Sequence, residues 1–320
     1  MMNDLDRAVT LKEWSYIAIA KHTRKILKYE SRVLQDKDPE DLHQMRVEMR
    51  RLRSAIAGLA VALDLPQSVN QKDLAKIGRS LGKLRDLDVL LATLTNDYRP
   101  LPEKEQKSLN KAILKLGKQR QNELKQVQKT LNSRLYFHLK QGLKSWLDKP
   151  KYQKIGERSI YPLLPDLLLP QISQLLLHPG WLVGVEIQDG RVQFPETLNQ
   201  EAIEQLLTRD DVVLHNLRKS AKKTRYNLEL FSQFYGDSYH HYLNLFEQIQ
   251  EVLGQIQDAH VLRKVLEKVL KSEVVDLMPE IANLLLKNRY YKWLEWQILQ
   301  KQFLEDRTRQ ELRQVIQQPR

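Results

Sequence analysis

Apolar residues between Leu42 and Leu63 recur at alternating gaps of three and four. This spacing is typical of a helix that packs one face into a helical bundle. The apolar positions are Leu42, Met45, Met49, Leu52, Ile56, Leu59 and Leu63. Asp38 and Pro39 form a favourable helix start, with Asp38 as the cap and Pro39 at the first helical position. The pattern predicts a helix that ends before Pro66.

The same pattern returns 172 residues later, beginning at Leu214. Its apolar positions are Leu214, Leu217, Ala221, Thr224, Leu228 and Phe231. Landmarks further along keep the same offset: Leu81-Gly82 matches Leu253-Gly254, and Asp86 matches Asp258. A repeat of this length without gaps indicates two copies of one helical unit.

Helical periodicity also covers most of the remaining chain. Helices are predicted at about 10–35, 70–95, 211–234 and 239–271, with one long helical segment from about 103 to 148 and a helical tail at 279–318. Leu74, Ile77, Leu81 and Leu84 form the seam of the helix at 70–95, and Trp293 and Trp296 are core candidates. Asp88 and His260 share one seam position, so each is expected to be buried with one hydrogen-bond partner.

The stretch 149–200 differs, because it is rich in proline. Residues 161–177 are leucine-rich and predicted to be helical in part. Residues 181–194 predict two short strands around Asp189-Gly190, a dipeptide that favours a hairpin turn. We interpret the chain as one domain over 1–320, with a first repeat at 10–148, an insertion at 149–200 that packs on a bundle or a partner, and a second repeat at 201–318.

Basic residues form a second stripe beside each apolar seam. His43, Arg46, Arg50 and Arg53 fall within an arc of about 80° on a helix, and Arg51 widens it. The copy keeps the offsets with His215, Arg218, Lys222, Lys223 and Arg225. Neighbouring like charges repel on a helix. One interpretation is a solvated face with acidic partners on the next helix, whereas the duplication favours a shared anionic ligand.

Further lysines and arginines lie on the flanking helices. Lys21, Lys25 and Lys28 on the first helix either extend the ligand surface or form a solvated face. Lys76, Arg79 and Lys83, with Lys72, form a stripe at 70–95 that the copy replaces with Asn244, Gln248, Glu251 and Gln255. The lysine row from Lys104 to Lys118 is interpreted as a solvated face.

The charge of the whole chain agrees with an anionic partner. Of 320 residues, 52 are Lys or Arg and 40 are Asp or Glu, which gives a net charge of +12. There is no cysteine, so disulfides and thiolate metal sites are excluded. We predict no membrane span and no secretion signal, and expect a cytoplasmic location.

The two motifs together, HxxRxxxRRxR and the downstream LGxxRDxDV, resemble those of the CHAD family, the conserved-histidine α-helical domains. They stand here at residues 43–53 and 81–89, with copies at 215–225 and 253–261. The resemblance implies an all-α fold of two pseudo-twofold-related helical bundles with a central basic channel, here with a small β-hairpin insertion. The second copy departs from the motif at Gln257 and His260.

The resemblance further implies binding of inorganic polyphosphate, including on polyphosphate granules. Some family members also carry a triphosphatase domain of the CYTH type, an activity that we do not predict for this chain. We therefore predict a non-catalytic binder that needs no cofactor and no metal. Two alternatives are histidine phosphotransfer through His43 or His215, and nucleic-acid binding. The second is disfavoured because the stripes hold one aromatic residue, Tyr226, for base stacking.

Overall fold

A computed structural model describes residues 9–98, 100–195 and 198–320. Twelve α-helices and one two-stranded hairpin occur within these residues. The helices are α1 Leu11–Gln35, α2 Pro39–Gly58, α3 Gln71–Asn96, α4 Glu103–Leu131, α5 Arg134–Asp148, α6 Leu164–Leu176, α7 Gln200–Arg209, α8 Asp211–Leu230, α9 Asp237–Leu270, α10 Val274–Leu277, α11 Pro279–Leu304 and α12 Asp306–Ile316. The strands are β1 Glu186–Gln188 and β2 Arg191–Gln193. The predicted all-α class with a small hairpin is confirmed.

The chain divides into two compact units. Unit 1 contains the described residues up to 98 together with Ile113–Leu163, and unit 2 contains Pro100–Ala112 and Leu164–Arg320. The start of α4 therefore groups with unit 2. So does the leucine-rich helix α6, which packs against α8 and α12. The segment that the sequence assigns to an insertion thus supplies part of the packing of unit 2.

Unit 1 is built on the predicted seams. Helix α2 packs between α1 and α3, and α5 packs against α1 and α3. All four seam residues of α3 are fully buried: Leu74, Ile77, Leu81 and Leu84. Met45 and Leu52 of α2 are fully buried as well. Burying such side chains contributes about 1.5–3 kcal/mol each, which explains why the apolar spacing predicts these helices.

Helix starts in unit 1 follow the capping residues. The Thr10 side chain accepts from the backbone of Glu13 while the Glu13 side chain bonds the Thr10 backbone, which forms a capping box. Asp38 caps α2 as predicted, accepting from the Glu40 N–H at 2.8 Å. Helix α2 ends at Gly58, earlier than its seam suggests, and Leu59 and Leu63 remain buried in the turns that follow.

Two predicted continuous helices are interrupted, and this is a correction. The segment predicted to run from about 103 to 148 breaks at Asn132-Ser133, where the Ser133 hydroxyl caps α5 by accepting from the Tyr136 N–H. The helical tail breaks at Glu305, between α11 and α12. Periodicity continues through both breaks because the apolar residues on each side face the same core.

In unit 2, α9 packs against α8 and α11. The Trp181 ring stacks on Trp296 at 5.2 Å between centroids, and the Gln300 amide donates to the Trp181 carbonyl at 2.7 Å. Trp293 and Trp296 are fully buried, as predicted. The hairpin follows from this anchored segment and turns at Asp189 (φ 49°) and Gly190 (φ 74°), the left-handed pair that a two-residue turn requires.

Candidate functional site

The basic stripe of α2 faces α3 through Arg46. The Arg46 guanidinium donates to Asp86 Oδ1 at 3.3 Å. It crosses α3 at Gly82, where a Cβ would lie 3.4 Å from Arg46 Nε. An alanine at 82 would therefore be in ordinary van der Waals contact with the guanidinium. We call this arrangement of an arginine over a glycine, with an aspartate one turn further on, the arginine seat.

Unit 2 contains a second arginine seat with the same offsets. Arg218 Nη1 donates to Asp258 Oδ1 at 3.5 Å, and a Cβ on Gly254 would lie 3.1 Å from Arg218 Nη2. Both aspartate side chains are 70% exposed, whereas the arginines are 29% and 24% exposed. Exposed ion pairs of this length contribute little. A phosphate group can therefore replace either carboxylate at low cost.

A histidine lies one turn before each seat, and both are half-buried. Burial lowers the pKa of His43, and the charges of Arg85, Arg50 and Arg46 lower it further against the opposing effect of Glu40. Burial also lowers the pKa of His215, with Lys219 and Arg218 adding to the shift. Both imidazoles are therefore neutral at pH 7, and a bound phosphate would favour their protonation.

Arg85 belongs to this site, although the sequence analysis did not select it. It is half-buried, and its charge is the largest electrostatic contribution that lowers the pKa of His43. Its Nε is buried without a hydrogen-bond partner among the described residues. The sequence feature that could have identified Arg85 is its place in the LGxxRD motif. Gln257 occupies this position in unit 2.

Two other predicted residues of unit 1 share a carboxylate that the sequence analysis also missed. Lys25 Nζ lies 3.0 Å from Glu48 Oε1, and Arg51 Nη1 lies 3.4 Å from the same oxygen. Lys21 and Lys28 of α1 are exposed. The structure therefore brings Lys25 next to the stripe of α2, while Lys21 and Lys28 remain on the solvated surface of α1.

The stripe on α3 is solvated along its length. Lys72, Lys76, Arg79 and Lys83 are all exposed, and none of them forms an ion pair within the part of the chain that the structure describes. Arg50 is half-buried and Arg53 exposed on α2. These cations lie on the two helices that build the first arginine seat, so they extend its positive potential.

At its C-terminal end, the basic stripe of α8 differs in its charge pairing from that of α2. Arg225 is buried, and its Nη1 lies 2.8 Å from Glu247 Oε1 and 3.0 Å from Glu229 Oε1. Two carboxylates thus compensate its charge, in contrast to the exposed Arg53. Lys222 is half-buried and Lys223 exposed. The Tyr226 ring is buried beneath the Arg225 guanidinium at 4.6 Å, so it offers no face for base stacking.

Asp88 and His260 share one seam position, but their surroundings differ between the two units. Asp88 accepts from Arg120 Nε at 2.9 Å, as predicted, and Arg120 also pairs with Asp36. His260 has a buried Nε2 without a partner among the described residues. Burial is the largest cause that lowers the pKa of His260. Arg120 of α4 therefore links α3 to the C-terminal end of α1, a connection that His260 does not repeat.

Over residues 9–98, 100–195 and 198–320, no group of three His, Cys, Asp or Glu side chains has metal-binding geometry. In the same ranges, no helix combines the length and apolar character needed to cross a bilayer.

Comparisons with known proteins address the family and the fold. The sequence model of the CHAD domain matches residues 17–267. The crystal structure of the CHAD domain from the plant Ricinus communis is similar in fold, with a TM-score of 0.58 at 24% identity over 95% of this chain and 92% of that chain. PptA from Streptomyces chartreusis gives a TM-score of 0.57 at 14% identity over 97% of this chain and 100% of that chain. No curated protein matches the sequence. CHAD domains are generally non-catalytic binding domains associated with polyphosphate.

Proposed function

Because the chain belongs to the CHAD family, we propose that it binds inorganic polyphosphate and catalyses no reaction on it. The observation that carries this proposal is the duplicated arginine seat. In each copy an accessible guanidinium is held over a helix by a glycine and a weakly paired, exposed aspartate. Packing against the helix limits the motion of each arginine side chain, which is 29% or 24% exposed, so less side-chain entropy is lost on binding.

The chemistry of the surrounding residues suits a chain of phosphates. Arginine donates two parallel charge-assisted hydrogen bonds to phosphate oxygens. The solvated cations of α3 add point charges along the same face, which a polymer with one negative charge per unit would contact successively. A cytoplasmic location is part of this proposal, and the absence of cysteine from the sequence is consistent with it.

Nucleic acid is the alternative ligand that best tests this proposal, because it is also a polyanion. Sequence-tolerant binders of single strands combine basic grooves with aromatic stacking platforms. Tyr226, the one aromatic residue in the two stripes, is buried. A ligand recognised through phosphate alone should therefore bind more tightly than single-stranded DNA of the same total charge.

The test is fluorescence anisotropy with labelled polyphosphate and with single-stranded DNA of matched charge, at several salt concentrations. We expect preference for polyphosphate and an affinity that falls steeply with salt, because each contact displaces a counterion. Gel analysis should show an unchanged polymer length after prolonged incubation. Equal affinity for DNA, an affinity independent of salt, or shortening of the polymer would contradict the proposal.

A further inference from the structure

Glu48 is a buried acidic residue in the middle of the basic stripe of α2. It is 1% exposed, whereas the basic residues on either side of it reach solvent. A buried carboxylate is costly unless charges and hydrogen bonds compensate it. Its partners therefore show what the carboxylate holds in place.

Three cationic or proton-donating groups surround the carboxylate. His22 Nδ1 lies 2.6 Å from Oε2, while Lys25 Nζ lies 3.0 Å and Arg51 Nη1 3.4 Å from Oε1. Burial alone would raise the pKa of Glu48, but hydrogen bonds and charges from His22 and Lys25 lower it to about 2. The carboxylate is ionised under all ordinary conditions, so it remains available to both cations.

The two cations come from different helices and retain exposed surface. The Lys25 side chain on α1 is 45% exposed and the Arg51 side chain on α2 is 40% exposed. His22, from the same helix as Lys25, fixes the other carboxylate oxygen. One buried anion thus sets the spacing of two partly exposed cations that would otherwise move independently.

The position of the basic helix of unit 2 that matches Glu48 holds no carboxylate. Ser220 stands 172 residues after Glu48 and cannot supply a charge. The carboxylate is therefore a feature of the first copy alone, beside the stripe that is also richer in cations. A negative charge within a polyanion site would weaken binding unless it contributed something else.

We propose that Glu48 is a positioning residue of the polyphosphate site, which fixes Lys25 of α1 and Arg51 of α2 as a joint phosphate-binding pair. This inference rests on the proposed function. It extends the first site from two helices to three. It also explains why a carboxylate is present at a position where its charge alone would weaken the binding of a polyanion.

The experiment measures polyphosphate affinity of the full chain with Glu48→Gln. Removing a negative charge should by itself tighten binding to a polyanion. Positioning predicts the opposite sign: an affinity about fivefold weaker, because two long side chains must then be ordered by the ligand. Tighter or unchanged binding would overturn the inference, while binding by the wild-type chain would leave the proposed function standing.

A double-mutant comparison tests whether Glu48 acts through its partners. In a chain with Lys25→Met and Arg51→Met, adding Glu48→Gln should no longer weaken binding, because neither cation remains to be positioned. A loss of the same size in both backgrounds would mean a general structural effect and would overturn the proposal. Thermal unfolding of each variant controls for loss of the fold.

If Glu48→Gln does not fold, Glu48→Asp replaces it. This variant keeps the net charge and withdraws the carboxylate by one methylene. We expect weaker polyphosphate binding with an unchanged salt dependence. Affinity equal to that of the wild-type chain would exclude a positioning role, since the position of the carboxylate would then have no effect.

Discussion

The basic faces of the two units repeat one arrangement in different electrostatic surroundings. Arg46 and Arg218 lie over Gly82 and Gly254 with nearly the same geometry. Around the first seat, the exposed positions of α3 carry four cations. The matching positions of α9 carry Asn244, Gln248, Glu251 and Gln255. At the end of the second stripe, Glu229 and Glu247 compensate Arg225.

The two units share the geometry of the arginine seat but differ in the charge of the surrounding positions. Each seat places an arginine over a glycine; a Cβ would press on the guanidinium at 254 and only touch it at 82. The flanking positions are solvent-exposed except for the half-buried Gln255, so their charge can change without disturbing the packed seam. We infer that unit 1 supplies most of the affinity and unit 2 a weaker contact of the same kind.

Charge reversal in each copy gives the largest expected effect. Arg46→Glu with Arg50→Glu should lower polyphosphate affinity about a hundredfold, and Arg218→Glu with Lys222→Glu about tenfold, because fewer cations surround the second pair. Anisotropy titrations at one salt concentration measure both. Lys104→Glu with Lys111→Glu, on the exposed face of α4, is the matched control. Equal losses from the two copies would refute the inferred inequality.

Exchanging the flanking charges should transfer part of the affinity between the units. Lys76→Gln, Arg79→Gln and Lys83→Gln on α3 should reduce the slope of log affinity against log salt by about two to three. Gln248→Lys, Glu251→Arg and Gln255→Lys, at the matching positions of α9, should steepen it. The salt series measures both slopes. A slope that stays unchanged in the α3 variant would show that these cations do not contact the ligand.

The pH dependence of polyphosphate affinity should be set by His43, the histidine beside the arginine seat of unit 1. The pKa of His43 is lowered in the free protein, and a bound phosphate should raise it, so binding takes up a proton. Affinity should rise as pH falls from the raised pKa of the complex to the lowered pKa of the free protein, by at most about tenfold per pH unit.

His43→Gln should flatten this pH profile, whereas His215→Gln should change it less, because fewer cations lie on the helix that faces the second seat. Titrations between pH 5 and 8 compare the variants with the wild-type chain. A profile that persists in His43→Gln would assign the proton to another group, including the terminal phosphates of the polymer.

Alanine in place of the seat glycines gives the smallest effect. A Cβ at 254 would lie 3.1 Å from the Arg218 guanidinium, and one at 82 would lie 3.4 Å from that of Arg46. Both substitutions should raise helix stability by up to about 1 kcal/mol. Gly254→Ala should weaken binding about twofold because the guanidinium must shift, whereas Gly82→Ala should leave binding unchanged. Thermal unfolding and anisotropy measure the two effects; tighter binding by either variant would argue against the seat.

Much of the fold could be predicted from local patterns. The seam of α3, the cap at Asp38 and the turn at Asp189-Gly190 follow from side chains and backbone preferences within a few residues of each other. The helix break at Asn132-Ser133 could not, because the apolar period continues through it. The repeat in the sequence revealed the basic stripes, but not the carboxylates that pair with their residues.

The sequence by itself determined the duplicated helical unit, the positions of the basic stripes and the unequal charge of α3 and α9, since each depends on residue identity and spacing along one helix. Only the tertiary structure decided which cations are paired with carboxylates and which lie beside a histidine. Glu48 holds Lys25 and Arg51, Arg225 is compensated by Glu247 from another helix, and Arg85 lies beside His43. Charges act through space, and the packing of neighbouring helices sets distances that spacing along one helix does not contain.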